Sequence, residues 1–88
     1  MNNQARIKEM QRRLTAALQP TALDIEDQSH LHAGHAGAEE GKGHFVVSIA
    51  SAAFAGHTPI KRHRLVYEAL GDLLESDISA VTIIDATP

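Results

Sequence analysis

The apolar residues near the start of the chain recur at the spacing of an α-helix. Between Gln4 and Leu18, the residues that share one helical face are Ile7, Met10, Leu14, Ala17 and Leu18. The basic residues of the stretch fall largely outside that stripe, and they are Arg6, Lys8, Arg12 and Arg13. This pattern predicts an amphipathic helix with one buried face. Pro20 predicts its end.

Alternating apolar and polar residues predict two strands that flank a long loop. The stretch ALDIED at 22–27 puts Leu23 and Ile25 on one face and Asp24 and Glu26 on the other. The stretch HFVVSIA at 44–50 alternates in the same way. Residues 28–43, between the two stretches, show no periodicity. We therefore predict an antiparallel hairpin with an unusually long loop, a feature that is often functional in small domains.

A second helix and a third strand are predicted in the rest of the chain. Thr58 is a suitable N-cap and Pro59 a favoured first residue, so a helix is expected from there to about Glu75. The residues expected on its buried side are Val66, Tyr67, Leu70, Leu73 and Leu74. One short helical turn is expected around Phe54. The stretch DISAVTIID at 77–85 is rich in β-branched residues and predicts the last strand.

The order helix, strand, strand, helix, strand predicts an α+β fold, in one domain spanning residues 1–88. The helices are expected on one face of a three-stranded mixed sheet. A strand–helix–strand crossover makes the last strand parallel to residues 44–50. Because parallel strands begin at the same end of a sheet, we expect Ser79 to lie beside His44 and the long loop.

Histidine is concentrated in that loop. The stretch HLHAGHAGAEEGKGHF at 30–45 holds four of the six histidines of a chain without cysteine. A metal ion would therefore be bound through nitrogen and oxygen. His30, His32 and His35 are the candidate ligands, because the glycines between them let the backbone turn freely. The alternative is a solvated loop whose histidines bind nothing.

His63 and the basic residues around it have two interpretations each. His63 falls in the middle of the apolar stripe of the second helix, which favours a packed histidine over a ligand. Lys61, Arg62 and Arg64 are candidates for nucleic-acid contact or form a solvated face. The turn GHTP before this helix lacks the second glycine of the KH-domain clamp, so RNA binding in the KH manner is not expected.

Composition and motifs argue against several classes of protein. The net charge of −3 gives the 88-residue chain no basic footprint for nucleic acid. We find no P-loop, nucleophile elbow or zinc-protease histidine pair, and we predict no catalytic residues and no enzyme. No stretch is apolar enough to span a membrane, and the first residues lack the apolar core of a secretory signal. A cytoplasmic location is expected.

Several motifs together resemble the BolA-like protein family. The stretch FAGHTPIKRHRLVYEAL is preceded by HFVVSIAS and, earlier, by SHLH. The phenylalanine–x–glycine turn, the arginine–histidine–arginine run and the terminal TP sit where that family has them. The resemblance extends from about Leu23 to Pro88, and the first helix fits as well. It implies a fold similar to class II KH domains, which agrees with the order derived above.

The resemblance also implies a partner and a cofactor. BolA-like proteins share a bridging 2Fe–2S cluster with a monothiol glutaredoxin, in which glutaredoxin and glutathione supply thiolates. The BolA-like protein supplies a loop histidine or cysteine and a histidine at the start of the last strand. The loop ligand falls on His32, with His30 and His35 as substitutes. The strand ligand falls on Ser79, and a hydroxyl is a poor ligand for iron in such a cluster.

Three functional hypotheses follow from the resemblance. The first is a non-enzymatic adaptor that binds glutaredoxin and takes part in iron–sulfur or iron handling, with His32 as a cluster ligand. The second is a transcriptional regulator that binds DNA through the helix around Arg62 and Arg64, with weak affinity. The third is a glutaredoxin binder that does not ligate the cluster, because Ser79 replaces the histidine. Alone, the protein is expected to be a monomer or a weak homodimer.

Overall fold

A computed structural model of the protein describes residues 1–32 and 41–88. Its helices are α1 (Asn3–Leu18), α2 (Pro59–Leu70) and the short α3 (Leu73–Ser76). Its strands are β1 (Ala22–Asp27), β2 (Gly43–Ala50) and β3 (Ile78–Ala86). Single 3₁₀ turns are formed by Ser29–His32 and Ala52–Phe54. The turn predicted around Phe54 is thus confirmed, and the stretch predicted to be an irregular loop begins with a helical turn.

The strands form one mixed sheet in the order β1-β2-β3. β1 pairs antiparallel with β2, and β3 runs parallel to β2. The predicted topology is therefore confirmed. Gly43 pairs with Ile78 and His44 with Ala80, so the register shifts at this point and Ser79 is an extra residue on β3. Such a bulge changes the direction of a side chain at the start of a strand.

The helices cover one face of the sheet. Along β2 buried and half-buried residues alternate, because successive side chains point to opposite faces. The core between helices and sheet consists of Met10, Leu14, Leu18, Ile25, Phe45, Val47, Ile49, Phe54, Val66, Leu70, Leu73 and Ile78. Burial of each large side chain contributes roughly 1.5–3 kcal/mol. On the opposite face Ile84 is exposed to solvent.

In α1 the prediction was wrong about Arg6, which is only 9% exposed. Arg6 lies four residues before Met10 and eight before Leu14, so helical geometry puts it on the buried face. Its guanidinium is neutralised there by Asp77, as described below. The helix begins at the N-cap Asn2, whose side-chain oxygen accepts a hydrogen bond from the Ala5 amide.

The second helix is shorter than predicted. It ends at Leu70 because Gly71 takes a φ of 56°, which is strained for any residue with a side chain. The sequence had predicted one helix to about Glu75, whereas α3 is a separate turn. The predicted N-cap is confirmed, since the Thr58 hydroxyl accepts a hydrogen bond from the Lys61 amide. Tyr67 is 40% exposed rather than buried, because it lies off the face of Val66 and Leu70.

Within the described ranges, no helix has both the length and the apolar composition required to cross a lipid bilayer.

Candidate functional site

The start of β3 lies against the end of the histidine segment, the name used below for residues 28–43. The Ser79 hydroxyl donates to the backbone carbonyl oxygen of Gly43 over 3.3 Å. The Gly43 amide in turn donates to the carbonyl oxygen of Asp77 over 3.0 Å. The expected proximity of Ser79 to His44 and to this segment is confirmed, because His44 pairs with the residue after Ser79.

The beginning of the histidine segment is attached to the same end of β2. The Gln28 amide donates to the carbonyl oxygen of His44 over 2.8 Å. The His44 amide donates to the Ser29 hydroxyl over 3.0 Å. Asp27 caps the turn that begins at Ser29, because its carboxylate accepts a hydrogen bond from the Ser29 amide over 2.9 Å. Both ends of the segment therefore meet where β3 begins.

Asn3, at the start of α1, bridges two residues at the beginning of the segment. Its amide nitrogen donates to Asp27 Oδ2 over 3.1 Å and to the Ser29 hydroxyl over 3.0 Å. Its side-chain oxygen accepts a hydrogen bond from Arg6 Nη1 over 2.8 Å. All three polar groups of the amide are thus used, which fixes its orientation.

Arg6 completes the arrangement from the buried side of α1. Its Nε lies 2.9 Å from Asp77 Oδ1, and both side chains are nearly buried. Its Nη2 donates to the backbone carbonyl oxygen of Gly41. We call this set of side chains the polar junction, and its members are Asn3, Arg6, Asp27, Ser29 and Asp77.

The two carboxylates of the polar junction are stabilised in their charged form. Burial alone would raise the pKa of Asp27, but hydrogen bonds from Ser29 and Asn3 outweigh it and lower that pKa. Hydrogen bonds from Ser76 and Arg6 hold the pKa of Asp77 below its ordinary value. The junction is therefore built around ionised carboxylates.

Gly43 is required by the close packing at this point. A Cβ atom there would lie 2.4 Å from the ring of Phe45 and 2.9 Å from Asn3 Oδ1. Real Cβ atoms do not approach other atoms so closely, so any side chain would displace the ring or the amide. The glycine lets α1 reach the end of the histidine segment.

The candidate ligands are described to different extents. His30 is exposed on the 3₁₀ turn, and His32 is its last residue. His35 lies outside the described residues. Among residues 1–32 and 41–88, no group of three or more histidine or acidic residues is placed to hold a metal ion.

Sequence reasoning missed Asn3 and Arg6, although the spacing of Arg6 from Met10 was a usable signal.

His63 lies at the other end of the sheet. Its Nε2 is 3.1 Å from Asp85 Oδ2, near the end of β3. Asp85 and Ser79 are six residues apart, or about 20 Å along the strand. This geometry favours the packed-histidine interpretation, in which His63 attaches α2 to the sheet.

Only some of the basic residues at the start of α2 are exposed and so available to contact nucleic acid. Arg62 is half-buried, lies 3.1 Å from Asp85 and donates to the carbonyl oxygen of His57. Lys61 and Arg64 are exposed. Because Asp85 neutralises Arg62, the exposed positive charge of this surface is smaller than the sequence indicates.

Comparison with known proteins gives a consistent result. The family model described as "BolA-like protein" matches residues 14–88. The chain is 42% identical to protein BOLA1, chloroplastic, of Arabidopsis thaliana over 86 residues, which is 94% of this chain and 54% of that protein. It is 42% identical over 81 residues to SufE-like protein 1, chloroplastic/mitochondrial, of the same plant, covering 86% of this chain and 22% of that protein.

The solved structure of the BolA domain of SufE1 from Arabidopsis thaliana has the same fold. The TM-score is 0.81 at 40% identity, with 92% of this chain and 90% of that domain covered. The chain spans about half of one curated relative and about a fifth of the other. The family match covers most of the chain, and the structural match covers 92% of it. This chain therefore belongs to the BolA-like protein family.

Proposed function

We propose that this protein is a non-enzymatic adaptor that binds a monothiol glutaredoxin and contributes a loop imidazole to an iron–sulfur cluster carried by the pair. The observation that supports this is the contact between Ser79 and Gly43. Position 79 corresponds to the last-strand ligand of the family, and here it adjoins the end of the histidine segment. A ligand from the segment and one from position 79 would therefore reach the same place.

The donor atoms of the chain fit the cluster only in part. Imidazole is a competent ligand for iron, and the segment carries His30, His32 and His35. The Ser79 hydroxyl is a poor ligand, and it already donates to Gly43. We therefore assign ligation to His32 and none to Ser79. With a single imidazole from this chain, retention of the cluster depends mainly on the partner's thiolates.

In this proposal the cluster is cargo, and the chain supplies binding and orientation. The helices bury one face of the sheet, and the polar junction holds both ends of the histidine segment at the start of β3. We infer no bond-making step at this site. The function is to offer one imidazole to a cluster that arrives with glutaredoxin.

The test is a titration of a cluster-loaded monothiol glutaredoxin with the protein. We expect a complex on gel filtration together with a change in visible absorption and circular dichroism. His32→Ala should abolish most of the spectral change but leave the complex intact. His57→Ala is the matched control, because His57 is exposed beyond the opposite end of the sheet.

Each outcome separates two hypotheses. A complex with an unchanged cluster spectrum means that the protein binds glutaredoxin without ligating the cluster. Absence of any complex overturns the adaptor proposal. If His32→Ala has no effect, the same measurement on His30→Ala and His35→Ala identifies the substitute ligand, or shows that no loop histidine binds iron.

DNA binding is the second candidate function. It is favoured by the exposed side chains of Lys61 and Arg64 on the first turns of α2. We rank it lower because Arg62 is paired with Asp85 and because the chain carries a net charge of −3. Nanomolar, sequence-specific binding at physiological salt would reverse this ranking.

A further inference from the structure

We propose that Arg6 is a positioning residue, which holds the two described ends of the histidine segment, at Ser29 and Gly41, against the start of β3 and so tunes ligand binding by the segment. The inference rests on the proposed function and adds to it a determinant that the family match does not contain. The match begins at residue 14, whereas Asn3 and Arg6 precede it.

The guanidinium of Arg6 contacts three separate parts of the site. Nε binds the carboxylate of Asp77, the residue immediately before β3. Nη2 donates to the carbonyl oxygen of Gly41, near the end of the histidine segment. Nη1 donates to the side-chain oxygen of Asn3, and the amide nitrogen of Asn3 donates to the Ser29 hydroxyl at the beginning of the segment. One planar group thus fixes the relative positions of three pieces of backbone.

The chemistry of the side chain matters to this role. An arginine presents five N–H donors in a rigid plane, whereas a lysine has one flexible ammonium group. A lysine at position 6 could keep the ion pair with Asp77, but it could not bond to Asp77, Gly41 and Asn3 at the same time. Because the side chain is nearly buried, water cannot easily replace the lost hydrogen bonds. The Arg6→Lys variant therefore separates charge from geometry.

Arg13 provides a matched control on the same helix. It lies two helical turns further on, and like Arg6 it has three partners, which here are two carboxylates and a backbone carbonyl. Its partners are Glu9, Asp72 and the carbonyl oxygen of Leu70. These contacts attach α1 to the end of α2, away from the histidine segment. If the arginines served only stability, both lysine substitutions would act alike.

The first measurement uses the protein alone. Nuclear magnetic resonance of the histidine side chains reports the environments of His30, His32 and His35 without any metal. We expect Arg6→Lys to shift these signals together with the amide of Gly41, while the signals of Val66 and Leu70 in the core stay in place. Arg13→Lys should leave the loop histidines unchanged.

The second measurement uses the glutaredoxin complex. We expect Arg6→Lys to change the visible circular dichroism of the cluster and to shorten its lifetime about tenfold, which is typical when a residue that orients a ligand is replaced. Arg13→Lys should match the unsubstituted protein in both readouts. The proposal is overturned if the two variants give the same spectra and lifetimes.

A second variant protects the test against misfolding. Asn3→Ala leaves the ion pair of Arg6 and Asp77 intact but removes the link to Asp27 and Ser29. It should also shift the loop histidines, whereas Gln4→Ala, at an exposed neighbour, should not. If Asn3→Ala leaves these signals unchanged, the proposal is overturned. If the unsubstituted protein itself fails to alter the cluster spectrum, the proposed function fails, and the measurement on the free protein still decides the role of Arg6.

Discussion

The hydroxyl of Ser79 lies 3.3 Å from the backbone carbonyl oxygen of Gly43, so the start of β3 is bonded to the end of the histidine segment. The register shift beside it makes Ser79 an extra residue on the strand, free of the regular pairing on either side.

Replacing Ser79 with histidine should strengthen cluster binding. An imidazole is a competent iron ligand and a hydroxyl is not, so the lifetime of the cluster in the glutaredoxin complex should increase. Adding His32→Ala should remove most of the gain. The free energy of unfolding should fall by about 1 kcal/mol or less, because one long hydrogen bond is lost. An unchanged lifetime in the folded variant would show that the two positions do not share a site.

Replacing Gly43 with alanine should destabilise the fold. The added methyl group would overlap the ring of Phe45 and the side-chain oxygen of Asn3. Overpacking of this kind costs about 1–3 kcal/mol, measurable by urea unfolding. Gly56→Ala is an unsuitable control because of its positive φ, so Ala80→Gly, at the exposed position that pairs with His44, serves instead. A stability loss in Gly43→Ala no larger than in that control would contradict the packing argument.

The stability of the protein should fall in acid because of the polar junction. The pKa of Asp77 is lower in the folded protein than its ordinary value of 3.8. The stabilisation is therefore fully present above about pH 4 and is lost as the pH falls through the folded pKa. Asp77→Asn should be less stable by roughly 2–4 kcal/mol near neutral pH, because it leaves Arg6 buried without a charged partner.

The pH dependence of the Asp77→Asn variant tests whether Asp77 causes the loss of stability in acid. The difference in unfolding free energy between Asp77→Asn and the unsubstituted protein should shrink as the pH is lowered from about 6 to about 3. Asp24→Asn, on the exposed face of β1, should give no such convergence. Parallel pH profiles for all three proteins would show that Asp77 does not carry the effect.

DNA binding should be weak and should decrease as the salt concentration is raised. Only Lys61 and Arg64 are exposed at the start of α2, so about two to three phosphates can be neutralised there. Fluorescence anisotropy at increasing salt should give a correspondingly shallow slope of log affinity against log salt. Asp85→Asn should release Arg62 and raise the affinity, whereas Lys61→Ala with Arg64→Ala should abolish binding. Equal affinity in all of these variants would place any DNA contact elsewhere.

Local signals predicted most of the fold. The bounds of β1 match the alternating stretch 22–27, and Thr58 marks the start of α2. These features depend on neighbours in sequence, which a pattern can reveal. The break at Gly71 was also a local signal, but the apolar residues beyond it favoured a single long helix.

The polar junction could not be predicted in the same way. Arg6 is buried because Asp77, 71 positions later, neutralises it. Gly43 is required because Asn3 and Phe45 crowd it, and neither contact follows from periodicity. The proximity of Ser79 to the histidine segment was predicted, because parallel strands start at the same end of a sheet. The roles of His30, His32 and His35 as ligands remain predictions.

The ion pair between Arg6 and Asp77 also makes the order of folding important. Contacts between residues so distant in sequence form late, because the intervening chain must first be ordered. During synthesis, the histidine segment leaves the ribosome before Asp77 does, so the segment exists for a time without the complete polar junction. Only a chain folded through β3 has Arg6 fixed between Gly41 and Asp77. If the proposed function holds, only a completely folded chain is competent to receive a cluster.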